Sequence, residues 1–522
     1  MRAIIHAFTA AVLLAISPIK AQHTVSTGTV NNQHKRPNIL IIMTDQHSAT
    51  MLSCTGNKWL KTPALDALSA GGIRFEKAYV TNPVCMPSRF SIQTGLLASS
   101  AGIRENAYTI TPERKALIEG LYSRSLGHTF RNAGYDTYYG GKFHVPIEGP
   151  NATNWGYNVI TRNDRENLAL NVSDFLMNRK PESKPFLLFA SLINPHDICF
   201  DAISFGDPEG NEAKATPPDL FEAKKIPEGI SKKEFFDKYC PPLPDNHQPM
   251  IGESYSVDSL IRLRNFRKVV RDNWTEEDWR LHRWAYARLT EKVDVLIGQI
   301  LGALDRSGQR ENTIILFTAD HGEMDGAHKL EHKTVFYEES ARGPFIISYP
   351  GLKNKGKVDN QHLVSNGLDI FPTLCELAQI QPPNGLQGKS LVPLLNEKKV
   401  NNWRTEIFIE SQLGYLIHNG RYKYQLDDKH GEHPREVFSD LKADPGEKFN
   451  LIKEKKYTEA LNSLLAANQT NEQDPRTKEW LGDCYYFLND QEKAKFNWLE
   501  SKRLGNKSSN LLLKIATKKY HE

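Results

Sequence analysis

A doubly wound α/β domain, with a large and mainly parallel sheet sandwiched by helices, is the fold predicted for this 522-residue chain. Short apolar, β-branched runs recur along it, as buried parallel strands require. Helical patterns separate the runs, which is the alternation of βαβ units. Titratable residues gather just past the runs, where open α/β sheets bind ligands.

The first run is Ile39-Leu40-Ile41-Ile42-Met43, ending at Thr44-Asp45-Gln46-His47. Tyr135 to Tyr139 alternates as a strand and ends at Gly140-Gly141-Lys142-Phe143-His144. Phe186 to Leu192 leads to Asn194-Pro195-His196, and Ile314 to Phe317 leads to Ala319-Asp320-His321-Gly322. Phe345 to Ile347 leads to Tyr349-Pro350-Gly351. The clearest helix starts at Thr275, with Asp278 as its capping partner. Its apolar positions Leu289, Val293, Leu296, Ile300 and Leu304 recur at three and four, and Gly308 stops it.

Beyond residue 400, short strands at Trp403–Glu410, Tyr415–His418, Arg421–Gln425 and Val437–Asp440 predict a small antiparallel sheet. Residues 457–467 read as a helix. The tail from about 475 reads as packed helices, with Trp480-Leu481-Gly482 faintly like one tetratricopeptide unit. A single such unit cannot bury its own face. Residues 197–274 are a long insertion rich in Pro, Asp and Lys, expected to form loops that wall the pocket. The expected organisation is a signal peptide (1–21), a leader (22–35), the α/β domain (36–400), a C-terminal antiparallel-sheet subdomain (401–470) and a helical tail (471–522).

Net charge is +4 and no basic run suggests a nucleic-acid-binding arm. Arg2 precedes an apolar run from Ala3 to Ile19, followed by small Ala21 and polar Gln22. This is the pattern of a secretory signal peptide cleaved near Ala21, and the run is short for a membrane span. A periplasmic or secreted protein without a membrane span is expected. The cysteines are Cys54, Cys85, Cys199, Cys240, Cys375 and Cys484, with no C-x-x-C pair. Export permits disulfides, and spacing alone does not pair these residues.

Cys85-Met86-Pro87-Ser88-Arg89, followed by Thr94-Gly95, is the strongest local motif. C-x-P-S-R is the sequence that formylglycine-generating enzymes oxidise; the plain alternative is a buried cysteine at a helix start. Other segments join it in order. They are Arg36-Pro37-Asn38 with Asp45, Thr62-Pro63-Ala64-Leu65-Asp66, Gly134-Tyr135 with Thr137, Gly141-Lys142-Phe143-His144, Pro195-His196, Thr318 to Gly322, Lys333, and Asp440-Leu441 with Asp444 to Glu447 and Asn450-Leu451. With these pieces the chain resembles a type I, formylglycine-dependent sulfatase of the alkaline-phosphatase-like superfamily over roughly residues 36–450, and within it the bacterial exported polysaccharide sulfatases.

The resemblance implies that Cys85 becomes formylglycine (3-oxoalanine), whose hydrate is a geminal diol. One hydroxyl attacks sulfur; the other, once deprotonated, expels sulfate by collapse to the aldehyde. A divalent metal is implied on Asp45, Gln46, Asp320, His321 and a formylglycine oxygen at position 85. Oxygen ligands favour calcium, while imidazole also suits manganese or zinc. Gln46 stands where the family often has a second aspartate, and His321 where asparagine is common. Arg89 would orient the formylglycine, and Lys142 and Lys333 would hold sulfate oxygens. His144 would serve as base for the collapse, and His196 would protonate the leaving alcohol. His47, Asn82, Asp325, His328 and His332 are further candidates to line the pocket.

The implied partners are a sulfated saccharide as substrate and a formylglycine-generating or radical maturation enzyme. Phosphonate monoester hydrolases and phosphodiesterases of the same superfamily share the Asp-Gln opening and the Asp-His pair, and form the second reading. A non-catalytic binding protein with an unmodified Cys85 is the third.

Overall fold

The computed structural model describes residues 36–517 except 108, 147–151, 181–182, 397–399, 401, 429–434, 455–463, 466–467, 469–473 and 488–489. The expected signal peptide and leader, and most of the helix expected at 457–467, lie outside these residues.

The strands are β1 (Asn38–Asp45), β2 (Ile73–Phe75), β3 (Ala78–Tyr79), β4 (Asp136–Gly141), β5 (Asn158–Thr161), β6 (Phe186–Pro195), β7 (Thr313–Ala319), β8 (Phe345–Ser348), β9 (Lys357–Asp359), β10 (Val364–Ser365), β11 (Ile407–Ser411), β12 (Gly414–His418), β13 (Tyr422–Asp427) and β14 (Glu436–Asp440). Eight of them form one sheet in the order β5-β4-β6-β1-β7-β8-β2-β9. The sheet is mainly parallel, as expected; β8 runs antiparallel to both its neighbours, β7 and β2.

β1 lies at the centre, with Ile39 opposite Leu187 of β6 on one side and Ile314 of β7 on the other. Because strand side chains alternate, each central strand feeds two cores. Ile39, Ile41, Leu187, Phe189, Ile314 and Leu316 point to one face, where Phe90 and Ile92 of the Cys85–Thr94 helix pack. Leu40, Ile42, Leu188, Ala190, Ile315 and Phe317 point to the other, against Val293, Ile297, Ile300 and Leu304 of the Glu276–Arg306 helix. Fully burying each such side chain contributes about 1.5–3 kcal/mol. The long helix begins with the predicted capping box: Thr275 Oγ1 accepts from Asp278 N, and the Asp278 carboxylate accepts from Thr275 N.

The C-terminal strands form the expected antiparallel sheet, a meander β11-β12-β13-β14. Its first strand starts at Ile407 rather than Trp403. Trp403 Nε1 instead donates to Leu363 O and Arg404 pairs with Asp369, so this stretch docks onto the preceding segment. The tail forms helices Pro475–Phe487, Gln491–Arg503 and Ser509–Thr517. Trp480, Leu481 and Cys484 pack on Tyr415, Ile417, Tyr424 and Phe438, which buries the face a lone repeat would expose.

The insertion at 197–274 is more ordered than the expected loops. It carries helices that include Cys199–Gly206, Tyr255–Leu263 and Asn265–Asn273. All six cysteines are free, and all but Cys54 are buried.

Candidate active site

Consecutive strand ends supply the polar residues. Asp45 ends β1, Lys142 follows β4, His196 follows β6, and Asp320 and His321 follow β7. The Cys85–Thr94 helix adds Cys85 at its first position and Arg89 one turn on. Gly95 closes that helix with φ +67°, a left-handed cap that a glycine adopts without strain. Gly322 meets a packing limit, since a Cβ there would lie 1.9 Å from Glu339 O.

β1 reaches the site through an irregularity. Its register with β6 shifts between Met43 and Asp45, so that Asp45 pairs with Pro195, next to His196. Ligand atoms of Asp45, Cys85, Asp320 and His321 all lie within 4.8 Å of one another, and all four residues are buried. His321 Nδ1 lies 2.9 Å from Gly322 O. A carbonyl only accepts, so Nδ1 carries a proton, and in the neutral ring the Nε2 lone pair faces the cluster. Nε2 stands 3.1 Å from Cys85 Sγ, 3.5 Å from Asp320 Oδ1 and 3.7 Å from Asp45 Oδ1. Two carboxylates and an imidazole, converging without exposure to water, fit a divalent cation.

Arg89 ties the two carboxylates together. Its Nε donates to Asp320 Oδ2 (2.7 Å) and Nη2 to Asp45 Oδ2 (2.9 Å), while Nη1 serves Ser191 Oγ and Lys142 O. These bonds occupy each nitrogen of the guanidinium, so Arg89 acts on residue 85 through the carboxylates. The opposite side is cationic. Lys142 Nζ is 2.7 Å from Asp45 Oδ2 and 4.0 Å from Cys85 Sγ. Lys333 Nζ is 2.9 Å from Cys85 Sγ and 3.0 Å from Gln46 Oε1.

Burial pushes the Cys85 thiol up, but Lys142, Lys333 and His321 outweigh it and hold the group well below the usual thiol range. Burial and Cys85 likewise raise Asp45, yet Lys142, His196 and Arg89 keep it well below the usual carboxylate range. Position 85 is therefore an anion-favouring point in a dry setting. Burial, then Lys142 and Lys333, push His196 down to about 4. Its Nε2 is 4.0 Å from Asp45 Oδ1. His144 adds to the groups that favour the charged form of Cys85. The Nδ1 atoms of His144 and His196 are buried without a hydrogen-bond partner among the described residues.

Backbone strain concentrates here. Gln46, His144, His332 and Thr334 all have positive φ, of 62°, 43°, 66° and 93°. For β-branched Thr334 that value is a strong outlier.

The other expected pocket residues are bound up in the scaffold. His47 is held by Thr44 Oγ1 and Met51 O, and Asn82 donates to Arg104 O. Asp325 pairs with Arg283, and His328 stacks on Tyr337. His332 donates its backbone N–H to Glu323 Oε1.

Several buried residues escape the sequence reading, Glu323, Asp201 and His282 among them. Glu323 sits two places after His321, which was the available signal, and its carboxylate accepts from Gln46 Nε2. Asp201 and His282 come from the insertion and the long helix, and nothing local in the sequence joins them. His282 Nδ1 donates to Asp201 Oδ2 at 3.0 Å, while Nε2 stands 3.8 Å from Glu323 Oε1, beyond a hydrogen bond but within ion-pair reach. Burial opposes charge on His282, but Asp201 and Glu323 raise it to about 9. A raised folded pKa adds stability that is fully present below the unfolded value of about 6.5 and is lost as pH climbs through about 9. His282→Gln should therefore cost about 3 kcal/mol at pH 6, with the deficit shrinking by pH 9. Urea midpoints at both pH values check this; an equal deficit at each would refute it.

The sequence model of the family described as "Sulfatase" matches residues 37–380. That described as "N-sulphoglucosamine sulphohydrolase, C-terminal" matches 326–474. An arylsulfatase of Clostridium perfringens is 30% identical over 496 residues, covering 82% of this chain and 93% of the relative. A Δ4,5-hexuronate-2-O-sulfatase of Bacteroides thetaiotaomicron is 28% identical over 455 residues, covering 83% and 88%. A solved 2-O GAG sulfatase superposes with TM-score 0.68 at 26% identity, over 85% of this chain and 93% of that one. The phosphonate monoester hydrolase of Agrobacterium radiobacter shares the fold, with TM-score 0.62 at 21% identity over 83% and 96%.

Proposed function

This chain belongs to the sulfatase family, a family of sulfuric ester hydrolases, and from that premise we propose that it cleaves sulfate esters of a sulfated poly- or oligosaccharide with residue 85 as a formylglycine. The observation that carries the reading is the surroundings of Cys85. A C-x-P-S-R cysteine lies among two carboxylates, an imidazole and two lysines, all converging on its sulfur. The saccharide part is supported by the relatives named for a hexuronate and an N-acetylglucosamine sulfate.

Asp45, Asp320 and His321, with the oxygen of residue 85 and the Gln46 carbonyl as a further donor, would hold a divalent cation, calcium being our first choice. Such an ion, when bound, lowers the pKa of a hydroxyl on residue 85 and neutralises sulfate charge. The chain's own groups do the rest. Lys142 and Lys333 reach the neighbourhood of residue 85 and are set to hold the sulfate oxygens that gain charge during transfer. His144, which favours negative charge on residue 85, is set to take the proton of the spare hydroxyl, so that sulfate leaves as the aldehyde reforms. His196 is set to protonate the leaving alcohol. Its two lysine neighbours repel a proton, and the negative charge of bound sulfate offsets that repulsion. Arg89 is a positioning residue that fixes Asp45 and Asp320.

Export belongs to the same reading, resting on the N-terminal pattern up to Ala21. No described helix is long and apolar enough to cross a membrane. We also read residues 36–400 as the catalytic domain, with 401–470 and 471–522 as appendages to it. Gln46 and His321 keep phosphonate and phosphate diester hydrolysis as the second reading.

One substrate panel separates these activities. An aryl sulfate and defined sulfated oligosaccharides should turn over at least a hundredfold faster in kcat/KM than an aryl phosphate diester, and chelator should abolish sulfate release. Faster diester turnover would favour the second reading.

A further inference from the structure

We propose that Glu323 is a positioning residue that fixes which end of the Gln46 amide faces the reaction centre, so that position 46 presents an acceptor to Lys333. This rests on the reading of residue 85 as the reacting group.

A primary amide has two ends nearly identical in shape, one donating and one accepting. Gln46 is fully buried, so solvent cannot stand in for a wrong partner. Its Nε2 donates to Glu323 Oε2, and its Oε1 accepts from Lys333 Nζ and Cys199 Sγ, both at 3.0 Å. A lysine ammonium only donates and a carboxylate only accepts, so these two neighbours dictate the orientation. Turning the amide over would set N–H against ammonium and carbonyl against carboxylate. Each such mismatch leaves a buried polar group without its partner.

Glu323 is itself held firmly. Its Oε1 accepts from His332 N (2.7 Å) and Asp325 N (3.1 Å), and its backbone N–H and C=O both engage Ser48 Oγ at 2.9 Å. Tyr286 Oη donates to Gln46 O and fixes the other side of the pair. The line runs from Glu323 through the amide to Lys333, whose Nζ then stands 2.9 Å from Cys85 Sγ. An aspartate or glutamate at position 46 would need no such arrangement, since both its oxygens accept. Glutamine does, and Glu323 supplies it.

The test is a swap. Glu323→Gln places two amides face to face and removes the bias. Gln46→Glu places two carboxylates face to face. The double variant restores a donor–acceptor pair, with the new amide donating to the new carboxylate, whose second oxygen accepts from Lys333. Each single variant should lose at least tenfold in kcat with a smaller change in KM, and the double should recover to within about threefold of the native enzyme. Calorimetric titration with Ca²⁺ should follow the same order, as should the thermal midpoint. Glu323→Asp, which keeps an acceptor, should lose less kcat than Glu323→Gln. Recovery of the thermal midpoint in the double variant without recovery of kcat would make Glu323 a purely structural acid and overturn the proposal. So would equal losses in Glu323→Asp and Glu323→Gln. The mass of the residue 85 peptide is measured throughout. A native enzyme that is active without the aldehyde would sink the underlying reading of residue 85, a result separate from any failure of the swap.

Discussion

Cys85→Ala should abolish sulfate release, with a loss of at least about 10⁴-fold in kcat, because it removes the proposed nucleophile rather than weakening a contact. The native residue 85 peptide should be about 18 Da lighter than its thiol form, the change from CH₂SH to CHO. The unconverted cysteine is no substitute, although its setting favours the thiolate. Attack by sulfur on a sulfate ester would leave an S-sulfonate with no second hydroxyl on the same carbon to expel sulfate. A preparation carrying only the thiol should therefore turn over once at most. On the proposed mechanism, conversion must also come early. Cys85 is 1% exposed and its Sγ is enclosed by Lys333, His321 and Asp45, so a modifying enzyme cannot reach it once the fold has closed. Folded thiol-form protein given the maturation enzyme should stay inactive, whereas conversion during synthesis should yield activity. Full turnover by a preparation with an intact thiol would overturn this mechanism.

The sheet was legible because its central strands are apolar on both faces. Ile39 to Met43 and Ile314 to Phe317 cannot face water on either side, and each ends in a polar cluster that the chain has no packing reason to keep. The ends of strands were less legible. β6 runs to Pro195, three residues past the apolar stretch, because β1 offers it partners through the register shift at Asp45. β8 gave no sign of its reversed direction, since a buried strand reads the same either way along the chain. Asp45, Cys85, Asp320 and His321 could be named from motifs at strand and helix ends. Their supports could not. Ser191 lies mid-strand, Tyr286 mid-helix and Asp201 within an insertion, and each matters through a partner that only tertiary folding provides. Arg89 was legible as a motif residue but not in its role. C-x-P-S-R puts it one turn after the cysteine, and only the folded sheet brings Asp45 and Asp320 to either side of its guanidinium.

Arg89→Ala should be the most destabilising change in the site short of unfolding it. Arg89 is 1% exposed and Asp45 and Asp320 are fully buried, so its removal leaves two carboxylates near each other without their shared cation. Breaking a buried ion pair by removing one partner costs about 3–5 kcal/mol. Arg89→Lys should recover little of this. An ammonium is one point of charge and cannot place separate donors on Asp320 Oδ2, Asp45 Oδ2, Ser191 Oγ and the Lys142 carbonyl together. With the carboxylates no longer held apart at fixed angles, divalent-ion affinity should fall about 10–100-fold, as loss of outer-shell support does elsewhere. Excess Ca²⁺ should then raise the thermal midpoint of the variant less than that of the native protein, because stabilisation by a ligand grows with the ratio of its concentration to its Kd. Turnover should still fall by about 10²-fold or more at saturating metal, since the nucleophile is out of line. Native activity and native ion affinity in Arg89→Ala would mean that the two aspartates hold their geometry unaided, and that the guanidinium is a bystander in the cluster.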